Sequence, residues 1–209
     1  MYTLYYSPGA CSRAVHVVLN EVGEKPNLVK INTMAGEQKQ PEFLKINPFG
    51  AVPVLKDGDD VILEGAAQII YLCDKHNSPL LPKSGLERGA ALQWLSFANS
   101  TLHPAYSRMF MLRRLELDDK AKDSLVEQYT KIIQELWDKV EAQLASKGPY
   151  ITGKEVTPGD ILLTVISGWS PFDKKFNCGP KTQAMIEAIK SRPAFAQAIE
   201  LETAEKKAA

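Results

Sequence analysis

The first 75 residues alternate between short apolar runs and helical repeats, and few folds accommodate such an order. Residues 3–6 predict a strand, residues 15–22 predict a helix that ends at Gly23, and residues 28–31 predict a second strand. Two strands joined through a helix favour a right-handed parallel crossover. The chain is therefore predicted to begin with a βαβ unit.

A short helix, a hairpin and a longer helix extend this unit. Pro41 is a favourable first residue for a helix that continues through Leu44. The apolar runs 52–55 and 61–63 flank a loop with an Asp-Gly pair, which is a strong hairpin signal. A helix over residues 64–75 completes the order βαβαββα.

The second half of the sequence has no convincing strand pattern. Two prolines, at positions 79 and 82, separate it from the first half, and from residue 87 onward the apolar residues recur at helical spacing. We therefore expect an α/β domain over residues 1–78, a linker over 79–86 and an all-helical domain over 87–209. A chain of 209 residues can bury a core without disulfides or metals.

Charge and cysteine content exclude several classes of function. Lys and Arg number 25, as do Asp and Glu, so no net field draws the protein to nucleic acid or to an anionic membrane. The start of the sequence does not resemble a signal peptide, and no apolar run is long enough to span a bilayer. The three cysteines, Cys11, Cys73 and Cys178, lack metal-ligand spacing. We expect a cytoplasmic protein without a metal.

The segment Thr157-Pro158-Gly159-Asp160 begins a helix. A hydroxyl residue stands three positions before an acid, and a proline occupies the first helical position ahead of an apolar run. This pattern is typical of a capping box. We therefore interpret Asp160 as structural.

Cys11 follows the turn Ser7-Pro8-Gly9-Ala10, where the first helix begins. A helix N-terminus lowers the pKa of a cysteine, and the thiolate is the reactive form. Arg13 adds a positive charge nearby, and Ala14 excludes a Cys-x-x-Cys dithiol. The alternative is that Cys11 is a small apolar packing residue.

Two further segments suit a peptide-like ligand. Val52-Pro53 puts a proline at the entry of a strand, where a cis bond would leave the Val52 backbone free to pair with a peptide; a plain edge-strand proline is the alternative. Glu64-Gly65 begins a helix, so backbone N–H groups could bind a carboxylate while Glu64 accepts an ammonium group. The alternative for Glu64 is a favourable first-turn acid.

These segments together resemble the cytosolic glutathione transferases, and most closely their bacterial beta class. The resemblance covers nearly the whole chain. The segments that carry it are Tyr5-Tyr6-Ser7-Pro8-Gly9-Ala10-Cys11-Ser12, Asn47-Pro48-Phe49-Gly50-Ala51-Val52-Pro53-Val54-Leu55, Glu64-Gly65-Ala66-Ala67-Gln68-Ile69, Leu102-His103 and Thr157-Pro158-Gly159-Asp160.

The resemblance implies a thioredoxin-like N-terminal domain that binds glutathione, an all-helical C-terminal domain that lines a pocket for an apolar electrophile, and a homodimer with Phe49 as an interface anchor. It implies catalytic roles for Cys11 and His103, and a cis bond before Pro53. The implied glutathione-binding residues are Tyr6, Ala10, Ser12, Lys39, Val52, Pro53, Glu64 and Gly65. Large residues near His103 suggest the electrophile pocket: Tyr106, Phe110, Met111 and Trp169, with ordinary core packing as the alternative for each. For His103, which precedes Pro104, the alternative is a helix kink.

The sequence predicts a glutathione transferase that conjugates the glutathione thiolate to small apolar electrophiles, with thiol-disulfide exchange through Cys11. Two alternatives stay open: a glutathione-dependent thiol reductase, and a non-catalytic binding relative. The group that activates glutathione is also open among Cys11, Ser12 and Tyr6, which lie within a few residues of one another.

Overall fold

A four-stranded sheet forms the centre of the N-terminal part of the protein. Its strands are β1 (Tyr2–Tyr6), β2 (Asn27–Lys30), β3 (Val54–Asp57) and β4 (Asp60–Ile62), in the order β2-β1-β3-β4. β1 pairs with β2 in parallel, and the β1–β3 and β3–β4 pairs are antiparallel. The parallel crossover and the hairpin predicted from the sequence are confirmed.

The structure is a computed structural model that describes residues 1–204. Helices α1 (Ser12–Glu21), α2 (Pro41–Leu44) and α3 (Gly65–Lys75) complete the thioredoxin-like arrangement. β3 begins two residues later than predicted, at Val54, because Pro53 has no N–H to donate to a neighbouring strand.

Alternation along β1 shows which face of the sheet is buried. Tyr2, Leu4 and Tyr6 are buried, whereas Thr3 and Tyr5 are partly exposed. A strand with one buried face shows this period of two. The buried face of β1 lies beneath α1, whose residues 14–19 are all buried.

Helix α9 (Pro193–Ala204) packs against α1 and α1 also packs against α3. The described residues divide into two compact units: one contains Met1–Lys83 together with residues 190–204, and the other contains Ser84–Ile189. The sequence boundary assigned everything after residue 87 to the helical domain. The structure differs because the buried side of α9 covers α1.

The second unit is entirely helical. Its α-helices are α4 (Gly85–Phe97), α5 (His103–Leu112), α6 (Asp119–Lys147), α7 (Pro158–Ser167) and α8 (Pro180–Lys190). A π-helical turn over Ala98–Leu102 joins α4 to α5. Every residue of α7 from Pro158 to Ile166 is buried, so α7 is the central helix of this unit.

The capping box predicted at the start of α7 is confirmed. Thr157 is the N-cap, and the Asp160 carboxylate accepts hydrogen bonds from the Thr157 N–H and hydroxyl, both at 2.8 Å. It also accepts the Ile151 N–H at 2.7 Å, which fixes the preceding loop. Within residues 1–204, no helix combines the length and the apolar character needed to span a bilayer.

Candidate functional site

Cys11 occupies the N-cap of α1 and is partly exposed. The turn before it is closed by the Ala10 N–H, which donates to the Ser7 carbonyl at 3.1 Å, and Gly9 supplies a left-handed residue with φ of 76°. The Cys11 thiol donates to the Val52 carbonyl across a distance of 3.7 Å. Cys11 and Val52, predicted separately, are therefore neighbours.

Burial raises the pKa of the Cys11 thiol to about 11. Backbone N–H groups of Cys11 and Ser12 lower the pKa, but they offset only part of the burial, and the charge of Glu64 raises it further. Cys11 is therefore a neutral thiol at pH 7 in the free protein. The prediction of a thiolate from the helix N-terminus is wrong for this state, because burial outweighs the favourable end of the helix.

Tyr6 and Ser12 are both fully buried. The Ser12 hydroxyl accepts the Ser7 N–H and donates to the Ser7 carbonyl, both at 3.1 Å, so it is engaged within the turn. The Tyr6 ring lies in the core, with its centroid 6.4 Å from that of His16. Neither side chain is exposed at the surface. Of the three candidates for activating glutathione, only Cys11 is partly exposed.

The start of α3 lies next to the Val52–Pro53 bond, which is cis. A Cβ on Gly65 would lie 3.3 Å from Pro53 Cγ, so the helix start approaches the proline ring closely. The buried Gln68 amide donates to the carbonyls of Pro53 at 3.1 Å and Ile62 at 2.8 Å. Gln68 therefore ties the first turn of α3 to the cis-proline segment.

Glu64 precedes α3 with an exposed side chain and a φ of 66°, which is uncommon for a residue other than glycine. Its backbone carbonyl accepts the Gln68 N–H at 3.0 Å. The first N–H groups of an α-helix have no partner within the helix. The start of α3 thus offers N–H donors beside an exposed carboxylate, as the sequence analysis expects.

Lys39 lies in a short 3-10 helix and donates to the Phe49 carbonyl at 3.1 Å. The Asn47 side chain accepts the Phe49 N–H at 3.0 Å and donates to the Ala51 carbonyl at 2.7 Å. These bonds hold a turn that leaves the Phe49 side chain 69% exposed. Lys39 thus supports this turn.

An aromatic cluster in the helical unit surrounds Trp169. The Trp169 ring centroid lies 4.8 Å from that of His103, 5.7 Å from that of Tyr106 and 6.2 Å from that of Phe110, all in tilted or edge-on contact. His103, Tyr106 and Phe110 are brought together because they share one face of α5. Burial lowers the pKa of His103, so its imidazole is neutral at pH 7.

Two predicted pocket residues differ in position from the rest of this cluster. Tyr106 is completely buried and its hydroxyl accepts the Trp137 indole N–H at 2.8 Å, so it is a core residue. Burial raises the pKa of Tyr106, which keeps its hydroxyl neutral. Met111 is 55% exposed and follows Phe110 by about 100° around the helix.

The sequence analysis missed Glu202, on α9. This carboxylate is completely buried and accepts the Gly9 N–H at 2.9 Å and the Arg13 guanidinium at 2.7 and 3.0 Å. Its partners are 193 and 189 residues away along the chain. No local pattern marks such a residue, because an acid in a charged C-terminal segment is typical of a solvated helix face.

Comparison with known proteins gives one consistent result. Residues 8–75 match the model of the glutathione S-transferase N-terminal domain. Glutathione S-transferase 3 of Zea mays is 32% identical over 209 aligned residues, covering 95% of this chain and 92% of that protein. Further relatives come from other plants and from insects.

Solved structures agree with the sequence matches. A glutathione transferase from Methylococcus capsulatus is 30% identical, with a TM-score of 0.83 over 98% of this chain and all of that chain. A glutathione transferase homologue from Sulfitobacter, solved with bound glutathione, has a TM-score of 0.85 at 24% identity, over 100% of this chain and 98% of that chain. The second likeness shows the fold alone.

Proposed function

This chain belongs to the glutathione S-transferase family, and we propose that it conjugates glutathione to small apolar electrophiles and also exchanges disulfides through Cys11. One observation carries the proposal. Cys11 lies partly exposed at the start of α1, beside the Val52 carbonyl and in the same unit as the start of α3. A thiol, the Val52 backbone and a helix N-terminus are three groups that a thiol tripeptide would use.

Glutathione would be held mainly by backbone groups. In this proposal the Val52 backbone pairs with the cysteinyl part, and the N–H groups at the start of α3 bind the γ-glutamyl carboxylate. Glu64 is exposed and accepts the ammonium group. Gly65 has no hydroxyl to offer, so the carboxylate depends on backbone donors. Membership of the glutathione S-transferase family supports glutathione as the thiol substrate.

A partly exposed cysteine at the start of α1 favours a class like the bacterial beta transferases. In the exchange step, the Cys11 thiol loses its proton to solvent and the thiolate attacks one sulfur of oxidised glutathione. A mixed disulfide forms on Cys11, and one glutathione leaves as a thiolate. Because burial raises the pKa of Cys11 to about 11, this step speeds up as the pH rises.

The helical unit would supply apolar recognition. Trp169, Phe110 and the neutral His103 imidazole form the partly exposed side of the aromatic cluster, and we propose that they take up the electrophile. A neutral imidazole can accept or donate a hydrogen bond near neutral pH, which suits a supporting role in proton transfer. Met111 belongs to the same proposal, and Tyr106 would support the cluster from the core.

Two assays on the purified protein separate the proposal from its alternatives. Conjugation of glutathione to a generic aryl halide is expected, together with reduction of a glutathione mixed disulfide. Disulfide reduction without conjugation would favour a thiol reductase. A protein that performs neither reaction would be a non-catalytic binding relative, and the proposal would be wrong.

We also propose that the protein is a homodimer with Phe49 as an anchor. The large aromatic side chain of Phe49 is 69% exposed on a hydrogen-bonded turn, and burying it in the surface of a second subunit would be favourable. Phe49→Ala should shift the sedimentation equilibrium towards monomer by about tenfold or more in Kd. Met34→Ala, which removes another exposed apolar side chain, should leave the equilibrium unchanged. A Phe49→Ala protein as dimeric as the wild type would contradict the proposed anchor.

A further inference from the structure

We propose that Glu202 is a positioning residue for Cys11: the last helix holds the turn that carries the thiol and thereby sets its reactivity. The inference rests on the proposed function only in that Cys11 is taken to react in disulfide exchange. The geometry concerns residues of the first unit alone.

One carboxylate oxygen binds the chain on both sides of Cys11. Oε2 of Glu202 accepts the N–H of Gly9, two residues before the cysteine, at 2.9 Å. The same oxygen accepts Nε and Nη2 of Arg13, two residues after the cysteine, at 3.0 and 2.7 Å. Cys11 is therefore the centre of a five-residue segment whose two ends share one acceptor.

The environment of this carboxylate leaves it little freedom to move. Glu202 is completely buried, and the Arg13 side chain is only 20% exposed. The second oxygen of Glu202 faces Nδ1 of His16, also completely buried, at 3.9 Å. Burial alone would raise the pKa of Glu202, but the nearby His16 ring, the hydrogen bonds from Arg13 and the charge of Arg13 bring it below its usual value. The acceptor is therefore ionised at neutral pH.

Bonds between Ser7 and Ser12 hold the turn from within, and the Glu202 carboxylate holds it from α9. The Gly9 residue is in the left-handed region, and its N–H has the Glu202 oxygen as an acceptor. If the Glu202 carboxylate were replaced by a weaker acceptor, the Gly9 N–H and the Arg13 guanidinium would both lose a charged hydrogen-bond partner. The turn would then open towards solvent and the thiol would lose part of its burial. Burial is the first cause of the high Cys11 pKa, so a looser turn makes the thiol more reactive.

The same two helices provide a matched control. At the far end of α1, Glu21 accepts Nε and Nη2 of Arg192 at 2.7 and 2.8 Å, and the Asn20 amide donates to the Ala194 carbonyl at 2.9 Å. This pair also joins α1 to the segment of α9, yet it is a full helix length from Cys11. Glu202 and Glu21 therefore both help to attach α9 to α1. Only Glu202 binds the turn that carries Cys11.

The test measures alkylation of Cys11 by iodoacetamide as a function of pH, with each cysteine followed separately by mass spectrometry. Glu202→Gln should lower the pH midpoint for Cys11 and raise its alkylation rate at pH 8 by about tenfold, the effect of one pKa unit. Glu21→Gln should change that rate by less than about twofold. Cys178 is the internal reference and should react alike in all proteins.

A second variant covers the case in which Glu202→Gln does not fold. Arg13→Lys keeps the positive charge but removes the planar fork, so it should shift Cys11 in the same direction by a smaller factor. An unchanged Cys11 profile in the folded variants would overturn the proposal. An equal shift in Glu21→Gln would also overturn it, because docking of α9 alone would then explain the effect.

The readout is independent of glutathione. If Glu202→Gln accelerates alkylation while the wild type shows no conjugation or exchange, the positioning role stands and the proposed function is wrong. If conjugation is observed and Cys11 alkylation is insensitive to Glu202, the positioning role is wrong and the proposed function stands.

Discussion

Asp160 in the helical unit and Glu202 in the first unit are both completely buried carboxylates, yet their pKa values move in opposite directions. Burial raises the pKa of Asp160, and hydrogen bonds from Ile151 and Thr157 offset only part of that rise. Every donor to Asp160 in these bonds is neutral. These neutral donors therefore stabilise the ionised Asp160 carboxylate less well than water does.

Glu202 differs because one of its partners is a cation. Burial again raises its pKa, but the nearby His16 ring, together with the hydrogen bonds and the charge of Arg13, more than offsets it. At these two sites, the charge of the donors has more effect than their number on whether the buried carboxylate stays ionised. The two carboxylates also have different roles: Asp160 caps a helix locally, and Glu202 joins distant parts of the chain.

The largest expected effect is on stability. Asp160→Ala should lower the free energy of unfolding by about 3–5 kcal/mol, because two backbone N–H groups and one hydroxyl lose their buried acceptor. Glu202→Ala should cost less, about 2–3 kcal/mol, since the partly exposed Arg13 can regain water. Urea unfolding measures both, and Glu187→Ala, at an exposed position, is the control.

Equal losses of stability for the two alanine variants would contradict this difference. They would show that the partly exposed Arg13 does not regain water more easily than the buried neutral donors of Asp160. A loss below about 1 kcal/mol for Asp160→Ala would contradict the role assigned to its hydrogen bonds.

A smaller effect concerns the pH dependence of stability. The folded-state pKa of Glu202 is below its ordinary value of 4.5, so its stability contribution is present above that value and is lost as the pH falls through the folded-state pKa. The folded-state pKa of Asp160 is above its ordinary value of 3.8, so the folded state gains stability as the pH falls through the folded-state pKa.

Urea unfolding of Glu202→Gln and Asp160→Asn from about pH 7 to about pH 4 tests these opposite signs. The stability gap between wild type and Glu202→Gln should narrow on acidification, and the gap between wild type and Asp160→Asn should widen. If both stability differences changed in the same direction on acidification, the Arg13 charge would not explain the contrast between Glu202 and Asp160.

The smallest effect expected is at the partner of Asp160. Thr157→Ala removes the side-chain hydroxyl of the capping box but leaves the backbone bonds to Asp160, so it should cost about 1 kcal/mol. Thr157→Ser should recover most of that loss, as measured by the urea midpoint. A cost equal to that of Asp160→Ala would mean that the hydroxyl, and not the set of backbone donors, determines the strength of the cap.

The same comparison explains what the sequence could predict. Asp160 was assigned correctly because its capping partner lies within three residues, and periodicity and turn residues likewise predicted the order of strands and helices along the chain and the helical second half. Glu202 was missed because its partners are 189 and 193 residues away, and the side of α9 that faces α1 depends on packing.

Cys11 lies between these two cases. Its place at the start of α1 follows from the local turn, whereas its contact with Val52, which was predicted separately, depends on the fold. The direction of its pKa shift was wrong, because burial comes from the folded surroundings and the local pattern contains only the helix end. The burial of Tyr6 and Ser12 is likewise a product of tertiary packing.

The most direct test of the reacting role of Cys11 is the rate of aryl-halide conjugation by Cys11→Ala, measured as kcat/KM beside the wild type, with mass spectrometry of the wild type after oxidised glutathione. The Cys11 thiol is neutral, donates to Val52 and is a weak donor, so it contributes little to a glutathione thiolate. We predict a glutathione adduct on Cys11 in the wild type, and conjugation within about threefold of wild type in Cys11→Ala. A fall of about 100-fold in conjugation, the loss typical of removing a principal donor to a developing anion, or the absence of an adduct in the wild type, would contradict it.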